Sequence, residues 1–433
     1  MLSLNKPVLL LFAASLATLV SGQDLTIPPD WRKPNSSRSR PERLSIAQAA
    51  IDSLVSAVNT TDGTTTPTMD VWTYANIPAA IAQHDYISGT QDNHGLVSNI
   101  IRGFRNTHDP AYFNSSLTLK QPEVNAEALA WGLAAFYGSR AYNDSDMLNT
   151  ALEVWDVATR YSVSPEEGAN GTQPTRNVSF PINCVANGAL FNRSERDFAL
   201  QIMATLSVTS VGAVFWTTDP VDLGCNGETV GAYVALSMHL WEAVGHSTYL
   251  DAAHSAAGFI FTHMYSQSEN IIADTYNIGT CESNSLTWTY NQGFFLEGLS
   301  ILSSAPVSDS PTWTNLLQTL IASTVKSPHW IASGDNAGVI IECNRRYPPS
   351  FNILIGVIAD SSDPTVFQEA WVYRIAFTRG LYEVWSRTDP FSPMANLTQA
   401  FMMVQYNALL DLASNSGDYS PIWVGPTLQT RVP

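Results

Sequence analysis

The stretch "SLTWTYNQGFFLEGLSIL", Ser285 to Leu302, decides the fold. Phe294, Phe295, Leu296, Leu299 and Leu302 recur at helical spacing, so most of it reads as a buried helix. The opening turn differs: Trp288, Tyr290, Asn291 and Gln292 place aromatic and amide groups where a core helix needs neither. Such groups either pack between helices with their polar ends satisfied, or line a cavity and touch a polyol such as a sugar. For the unit Trp288 to Gly293 the second explanation is favoured, with Gly293 letting the turn pack closely.

The same rhythm runs outward through the chain. "LSIAQAAIDSLVSAVN" puts Ile46, Ala49, Ile51, Leu54 and Val58 near one face. "TVGAYVALSMHLWEAVG" repeats the pattern and stops at Gly245, and Ser247 follows as the N-cap of "STYLDAAHSAAGFIFTHM". Two helices joined by so short a turn run antiparallel. The spacing predicts helices near 44–58, 74–84, 123–138, 146–161, 195–207, 228–244, 248–266, 288–304, 311–326, 349–359, 364–386 and 393–414. Strand-like pieces are short, "GVIIEC" among them. The expectation is one all-α domain over residues 44–426, built of six helical hairpins. A solenoid is the alternative, but no fixed repeat period is present.

Of the 433 residues, 45% are hydrophobic and 14% charged, enough for a large core. The net charge is −17 with no dense basic run, which argues against nucleic acid or an anionic membrane as partner. The acidity itself reads mainly as a means of solubility. "MLSLNKPVLLLFAASLATLVSGQ" has Lys6, an apolar run from Val8 to Val20 and small residues at Ser21 and Gly22. That is the layout of a secretory signal peptide over residues 1–22; an uncleaved anchor is the weaker reading. Residues 23–43, rich in Pro, Ser and Arg, read as a flexible leader.

Export carries further expectations. N-x-S/T sequons stand at Asn35, Asn59, Asn114, Asn143, Asn170, Asn177, Asn192 and Asn396, which suggests a glycoprotein. Four cysteines form an even set, with Cys184–Cys225 and Cys281–Cys343 the preferred of three pairings. The end "LQTRVP" has no hydrophobic tail, so no stable membrane anchor is expected.

Most chemistries lack their motifs: there is no G-x-S-x-G elbow, HExxH, P-loop or dinucleotide fingerprint. His239 and His254 sit inside amphipathic patterns and read as ordinary helix residues, and "NDSDM" at Asn143 to Met147 reads as a sequon with a helix cap rather than a calcium loop. What remains is three aromatic and amide clusters, "GAVFW" (Gly212 to Trp216), "LTWTYNQG" (Leu286 to Gly293) and "VQYNALL" (Val404 to Leu410). Aromatic faces suit the C–H side of a sugar ring, and amides suit its hydroxyls.

The segment "IIADTYNIGTCESNSLTWTYNQGFFLEGL" resembles the signature of glycoside hydrolase family 76, the endo-α-1,6-mannanases and related fungal wall transglycosidases. Asp274, Cys281, Trp288, Thr289, Tyr290, Asn291, Gln292 and Gly293 match it, while "GAVFW", "YRIAFTR" (Tyr373 to Arg379) and "VQYNALL" fall in family order. The resemblance covers roughly residues 120 to 425. It implies an (α/α)6 toroid, no cofactor, and hydrolysis or transfer at α-1,6-mannosidic bonds of mannan or a mannose-containing glycan. It also implies an extracellular or cell-wall-associated protein and a sugar site containing Trp216, Asp274, Trp288, Tyr290, Asn291, Gln292 and Arg379.

The family's retaining mechanism uses two adjacent aspartates, one as nucleophile and one as acid/base. Here "NAEALAWGLAAF" places Ala126 and Glu127 at that pair. Glu127 is thus the expected catalytic acid/base, and Ala126 offers no reactive atom. A water-mediated inverting reaction needs a second carboxylate farther off, for which Asp85, Asp92 and Asp274 are candidates. The competing role for Glu127 is a first-turn carboxylate favoured by the helix dipole. The competing function is a non-catalytic glycan-binding relative with a retained cleft.

Overall fold

A computed structural model of the chain describes residues 23–66, 71–107, 124–184, 209–284, 286–341, 370–415, 418–419 and 423–424. The expected signal peptide, the helices expected at 195–207 and 349–359, and Cys343 lie outside the described residues.

The described residues form twelve α-helices: α1 (Arg40–Val55), α2 (Val71–Ser88), α3 (His94–Thr107), α4 (Asn125–Tyr142), α5 (Ser145–Thr159), α6 (Pro165–Asn170), α7 (Gly227–Val244), α8 (Ser247–Phe259), α9 (Thr289–Leu302), α10 (Ser310–Thr324), α11 (Ala370–Arg387) and α12 (Pro393–Leu412). Five hairpins are complete among the described residues: α2/α3, α4/α5, α7/α8, α9/α10 and α11/α12. The architecture is the all-α (α/α)6 toroid that the sequence pattern predicts.

In this arrangement α2, α4, α7, α9 and α11 run parallel, because early residues of each meet early residues of the next. Gly231 of α7 lies against Phe294 and Phe295 of α9, and Gly298 lies one turn further down against Val234 and Ala235. Between α9 and α11 the two backbones touch. A Cβ on Gly293 would lie 2.4 Å from the carbonyl carbon of Ala376, and one on Gly380 2.1 Å from the Gly293 oxygen. Only paired glycines allow this approach.

Parallel inner helices place five N-termini at one rim. The opposite end of the cylinder holds charges. Glu297 accepts from Tyr137, His239 Nε2 lies 3.1 Å from its Oε1, and Arg379 Nε donates to its Oε2 at 2.8 Å. Beside this cluster Arg140 makes a two-pronged contact with Glu383 at 2.8 and 3.2 Å.

Helix boundaries depart from expectation in instructive ways. His246 rather than Ser247 caps α8, while Gly245 ends α7 in the left-handed region as expected, with φ 73°. Asp144 Oδ1 accepts from the amides of Asp146 and Met147, which confirms a helix cap in "NDSDM". The whole of α3 is absent from the expected set; it buries Val97, Ile100, Ile101 and Phe104 and opens on His94 and Gly95 after Asn93, whose carbonyl accepts from the Val97 amide.

Two corrections concern connections. Residues 23–43 are no flexible leader: Trp31 is 7% exposed against Phe401, and Arg32 and Lys33 pair with Asp411. A buried indole ties the segment down through the large apolar area it removes from water. The observed disulfide is Cys184–Cys281, not Cys184–Cys225 or Cys281–Cys343. Cys225 lies within a strand, β1 (Gly224–Asn226), which pairs antiparallel with β2 (Thr275–Asn277), and its thiol is buried and free. Cys281 sits in the turn leading to β3 (Glu282–Ser283), where φ of 59° swings it out toward Cys184.

Candidate active site

The site is built where the first turns of α4, α7 and α9 meet the small β-sheet. Asn226 ends β1 and caps α7, its Oδ1 accepting from the Thr229 amide at 2.9 Å. The next amide, Gly227 N, donates to the Asp274 carbonyl at 2.7 Å, and the Asp274 amide donates to Leu286 O at 2.8 Å. The backbone at Asp274 is therefore held from both sides, by α7 and by the segment entering α9.

The Asp274 side chain is buried and equally fixed. Its Oδ1 accepts from the Tyr290 phenol at 2.7 Å and the Asn291 amide at 3.0 Å, and its Oδ2 accepts from Thr275 Oγ1 at 2.9 Å. Burial, then the neighbouring Asp274 carboxylate, hold the Tyr290 phenol well above its ordinary range, so it stays a donor. Tyr373 of α11 packs edge-on against Tyr290 at 4.2 Å and Trp288 at 5.5 Å.

Two further carboxyls come to this rim. Glu127 stands half-buried in the first turn of α4, which bonds back to the aromatic loop: Asn125 N donates to Trp216 O, and Asn125 Nδ2 to Phe215 O. Glu228 stands half-buried in the first turn of α7. Burial, then the charges of Asp274 and Glu127, push the Glu228 carboxyl up to about 8. Trp216 supplies an exposed aromatic face next to this start of α4, at 38% accessibility.

The expected site residues thus divide. Glu127, Trp216, Asp274, Trp288, Tyr290 and Asn291 gather at the rim. Gln292 does not face it: its Oε1 accepts from Ile272 N, and its Nε2 donates to Ile272 O and Trp288 O. Its amide is consumed in holding the entry strand to α9. Arg379 is 5% exposed and lies well below the rim, bound to Glu297 and to Asn76 Oδ1. Its charge compensates a buried carboxylate. The cluster "VQYNALL" is likewise structural, with Gln405 bridging Ile340 N and Gly338 O.

Of the distant carboxylates considered, Asp85 and Asp92 lie in or beyond the last turn of α2, at the end away from the rim. Asp85 is fully buried and accepts from Asn93 and Tyr142. Glu228 is the residue that sequence reasoning missed. Its signal was an acid immediately after "CNG", at the start of a helix already recognised. A cavity of about 340 Å³ lies between outer helices α3 and α5 among Arg102, Arg105, Asp146 and Glu153, and has no part in this site. Among the described residues no three His, Cys, Asp or Glu side chains are close enough to share a metal ion. No helix among them is long and apolar enough to cross a membrane.

Residues 203–350 match the family model described as glycosyl hydrolase family 76. In structure the chain is similar to an inactive variant of the α-1,6-mannanase GH76A of Salegentibacter sp. HEL1_6 in complex with α-1,6-mannotriose. The TM-score is 0.61 at 12% identity, over 89% of this chain and 93% of that one. It is also similar to the GH76 α-mannanase BT2949 of Bacteroides thetaiotaomicron, with TM-score 0.60 and 12% identity over 90% of each chain. A third likeness is to Dfg5 from Chaetomium thermophilum in complex with glucosamine, with TM-score 0.52 and 13% identity over 86% of this chain and 92% of that one. No curated protein matches the chain in sequence. These likenesses bear out the family resemblance carried by "WTYNQG" and the six-hairpin fold.

Proposed function

We infer that this chain, similar to glycosyl hydrolase family 76 in sequence and in fold, is an exported glycosidase that hydrolyses or transfers α-1,6-linked mannose residues of mannan or a mannose-containing glycan. The observation that carries the reading is the convergence at one rim of Glu127, Glu228 and Asp274 with the aromatic rings of Trp216, Trp288 and Tyr290. Carboxyl groups of unequal proton affinity are what cleavage of a glycosidic bond requires. The exposed ring of Trp216 and the half-buried ring of Trp288 give a sugar its stacking faces, and the amide and phenol around Asp274 keep an acceptor fixed for its hydroxyls. The substrate class is supported by the α-1,6-mannotriose bound in the Salegentibacter protein of the same fold.

Export is supported by the apolar N-terminal run, by the disulfide, and by the sequons: Asn35, Asn59, Asn143, Asn170, Asn177 and Asn396 are all exposed. Glycan attachment needs this placement.

Ala126 is 1% exposed and packed away, so the position of the family's second aspartate offers neither a reactive group nor space beside one. That observation favours one second reading, a glycan-binding relative without turnover. Incubation of the purified protein with linear α-1,6-mannan separates them. New reducing ends or transfer products are expected; binding without products would sink the enzyme reading and leave the binding one standing.

A further inference from the structure

We propose that Glu228 is the proton donor to the departing sugar oxygen and that Glu127 acts opposite it as the base that activates water. The proposal rests on the reading of the rim as a glycosidase site and assigns a division of labour within it.

Position is the first argument. The Asn226 cap and the Gly227–Asp274 bond fix where α7 begins, and Glu228 is the next residue. Its carboxyl is thereby set near Asp274, at the sheet, and within the field of Glu127, on α4.

Availability is the second. Asp274 already accepts three hydrogen bonds from Tyr290, Asn291 and Thr275, so it is an anchored acceptor. Glu228 makes no hydrogen bond with any described residue and is half-buried, which leaves its oxygens open to a ligand.

Proton affinity is the third. The groups around Glu228 are Asp274 at the sheet, Glu127 on α4, and Tyr290, with Tyr373 behind it, on α9 and α11. None is a cation. Burial and two neighbouring negative charges outweigh the favourable start of the helix dipole, so Glu228 keeps its proton at neutral pH. A carboxyl that is protonated at working pH is what a general acid must be.

The step balances as follows. The Glu228 proton passes to the glycosidic oxygen while the bond from the anomeric carbon to that oxygen breaks, and the bonding pair leaves with the oxygen. One water adds to the anomeric carbon and gives a proton to the Glu127 carboxylate. Glu127 later releases that proton to solvent and Glu228 regains one. With Ala126 unable to form a covalent adduct, direct attack by water is the route these residues support.

The test uses the full chain and two substrates, linear α-1,6-mannan and a 4-nitrophenyl α-mannoside whose leaving group departs without protonation. Glu228→Gln is expected to lower kcat/KM on mannan by about 10²–10⁴-fold and to spare the aryl substrate. It should also abolish the basic limb of the pH profile, expected near pH 8 in the natural protein. Glu127→Gln should depress both substrates. If Glu228→Gln turns over mannan with its basic limb intact, or loses both substrates equally, the assignment is overturned while the glycosidase reading survives. If the natural protein cleaves neither substrate, both fall. Should the Gln variant not fold, Glu228→Asp takes its place. Reduced mannan turnover with a displaced basic limb supports the assignment, and an unmoved limb overturns it.

Discussion

The Tyr290 phenol donates to Asp274 Oδ1 at 2.7 Å, from a helix to the strand segment that faces it. Hydrogen bonds to charged groups contribute about 1.5–3 kcal/mol each. Tyr290→Phe should therefore lower stability by about that amount in urea titrations. It should also reduce kcat/KM on α-1,6-mannan by about one to two orders of magnitude as Asp274 loses its fixed orientation. An unchanged kcat/KM would remove Asp274 from the site.

Glu228 gives a pH dependence whose sign is set by its raised folded-state value. Its value rises from 4.5 to about 8 on folding, so its contribution to stability is fully present below 4.5 and is lost as pH climbs through 8. Glu228→Gln removes that dependence. Between pH 5 and pH 9 the natural protein should lose Tm relative to the variant, measured by differential scanning calorimetry. Parallel Tm curves would contradict the buried, charge-crowded setting described here.

Glu297 behaves in the opposite sense. Against the opposing effect of its burial, Arg379 and His239 bring its carboxyl down to about 2, so its contribution exists above 4.5 and fades as pH falls toward 2. Removing one partner of a buried pair costs about 3–5 kcal/mol, and Arg379→Met should show a loss in that range. The paired change Arg379→Met with Glu297→Leu should recover much of the loss, which chemical denaturation of the three variants would reveal.

Gly293→Ala tests the α9/α11 contact. Its methyl would meet the Ala376 carbonyl carbon at 2.4 Å, so the helices must separate, at about 1–3 kcal/mol or more. Gly95, with open space around it in α3, is the control: Gly95→Ala should gain about 0.5–1 kcal/mol.

The disulfide is checked by peptide mapping under non-reducing conditions, which should recover Cys184 joined to Cys281 with Cys225 unpaired. Breaking a link that spans 97 residues should cost about 2–5 kcal/mol, seen as a lower Tm for Cys184→Ser.

The helical hairpins were legible because burial imposes a period on sequence. Where Phe294 to Leu302 or Val230 to Leu240 line the interior, apolar spacing alone draws the helix. Helix α3 escaped because its start, polar and glycine-containing at His94 and Gly95, hides the amphipathic run behind it. Local chemistry was also readable: the Asp144 cap and the close packing at Gly293 follow from residue type. Partners distant in sequence were not. Nothing local tells that Gln292 turns toward Ile272, that Arg379 meets Glu297, or that Cys281 swings toward Cys184. Glu228 was hidden for the same reason, since its proton affinity arises from Asp274 and Glu127, neighbours 46 and 101 residues away in sequence.

The parallel inner wall has a consequence for how such a protein changes over time. The stacking and anchoring groups, Trp288, Tyr290, Asn291 and Tyr373, belong to α9 and α11, clasped at their paired glycines and pinned below by Glu297 and Arg379. The carboxyls at Glu127 and Glu228 stand on α4 and α7 instead. Under the proposed function, grip and reactivity therefore occupy separate staves of the cylinder. Substitution on one pair of staves leaves the other standing, so a lineage can exchange its reacting groups without surrendering its hold on the polymer.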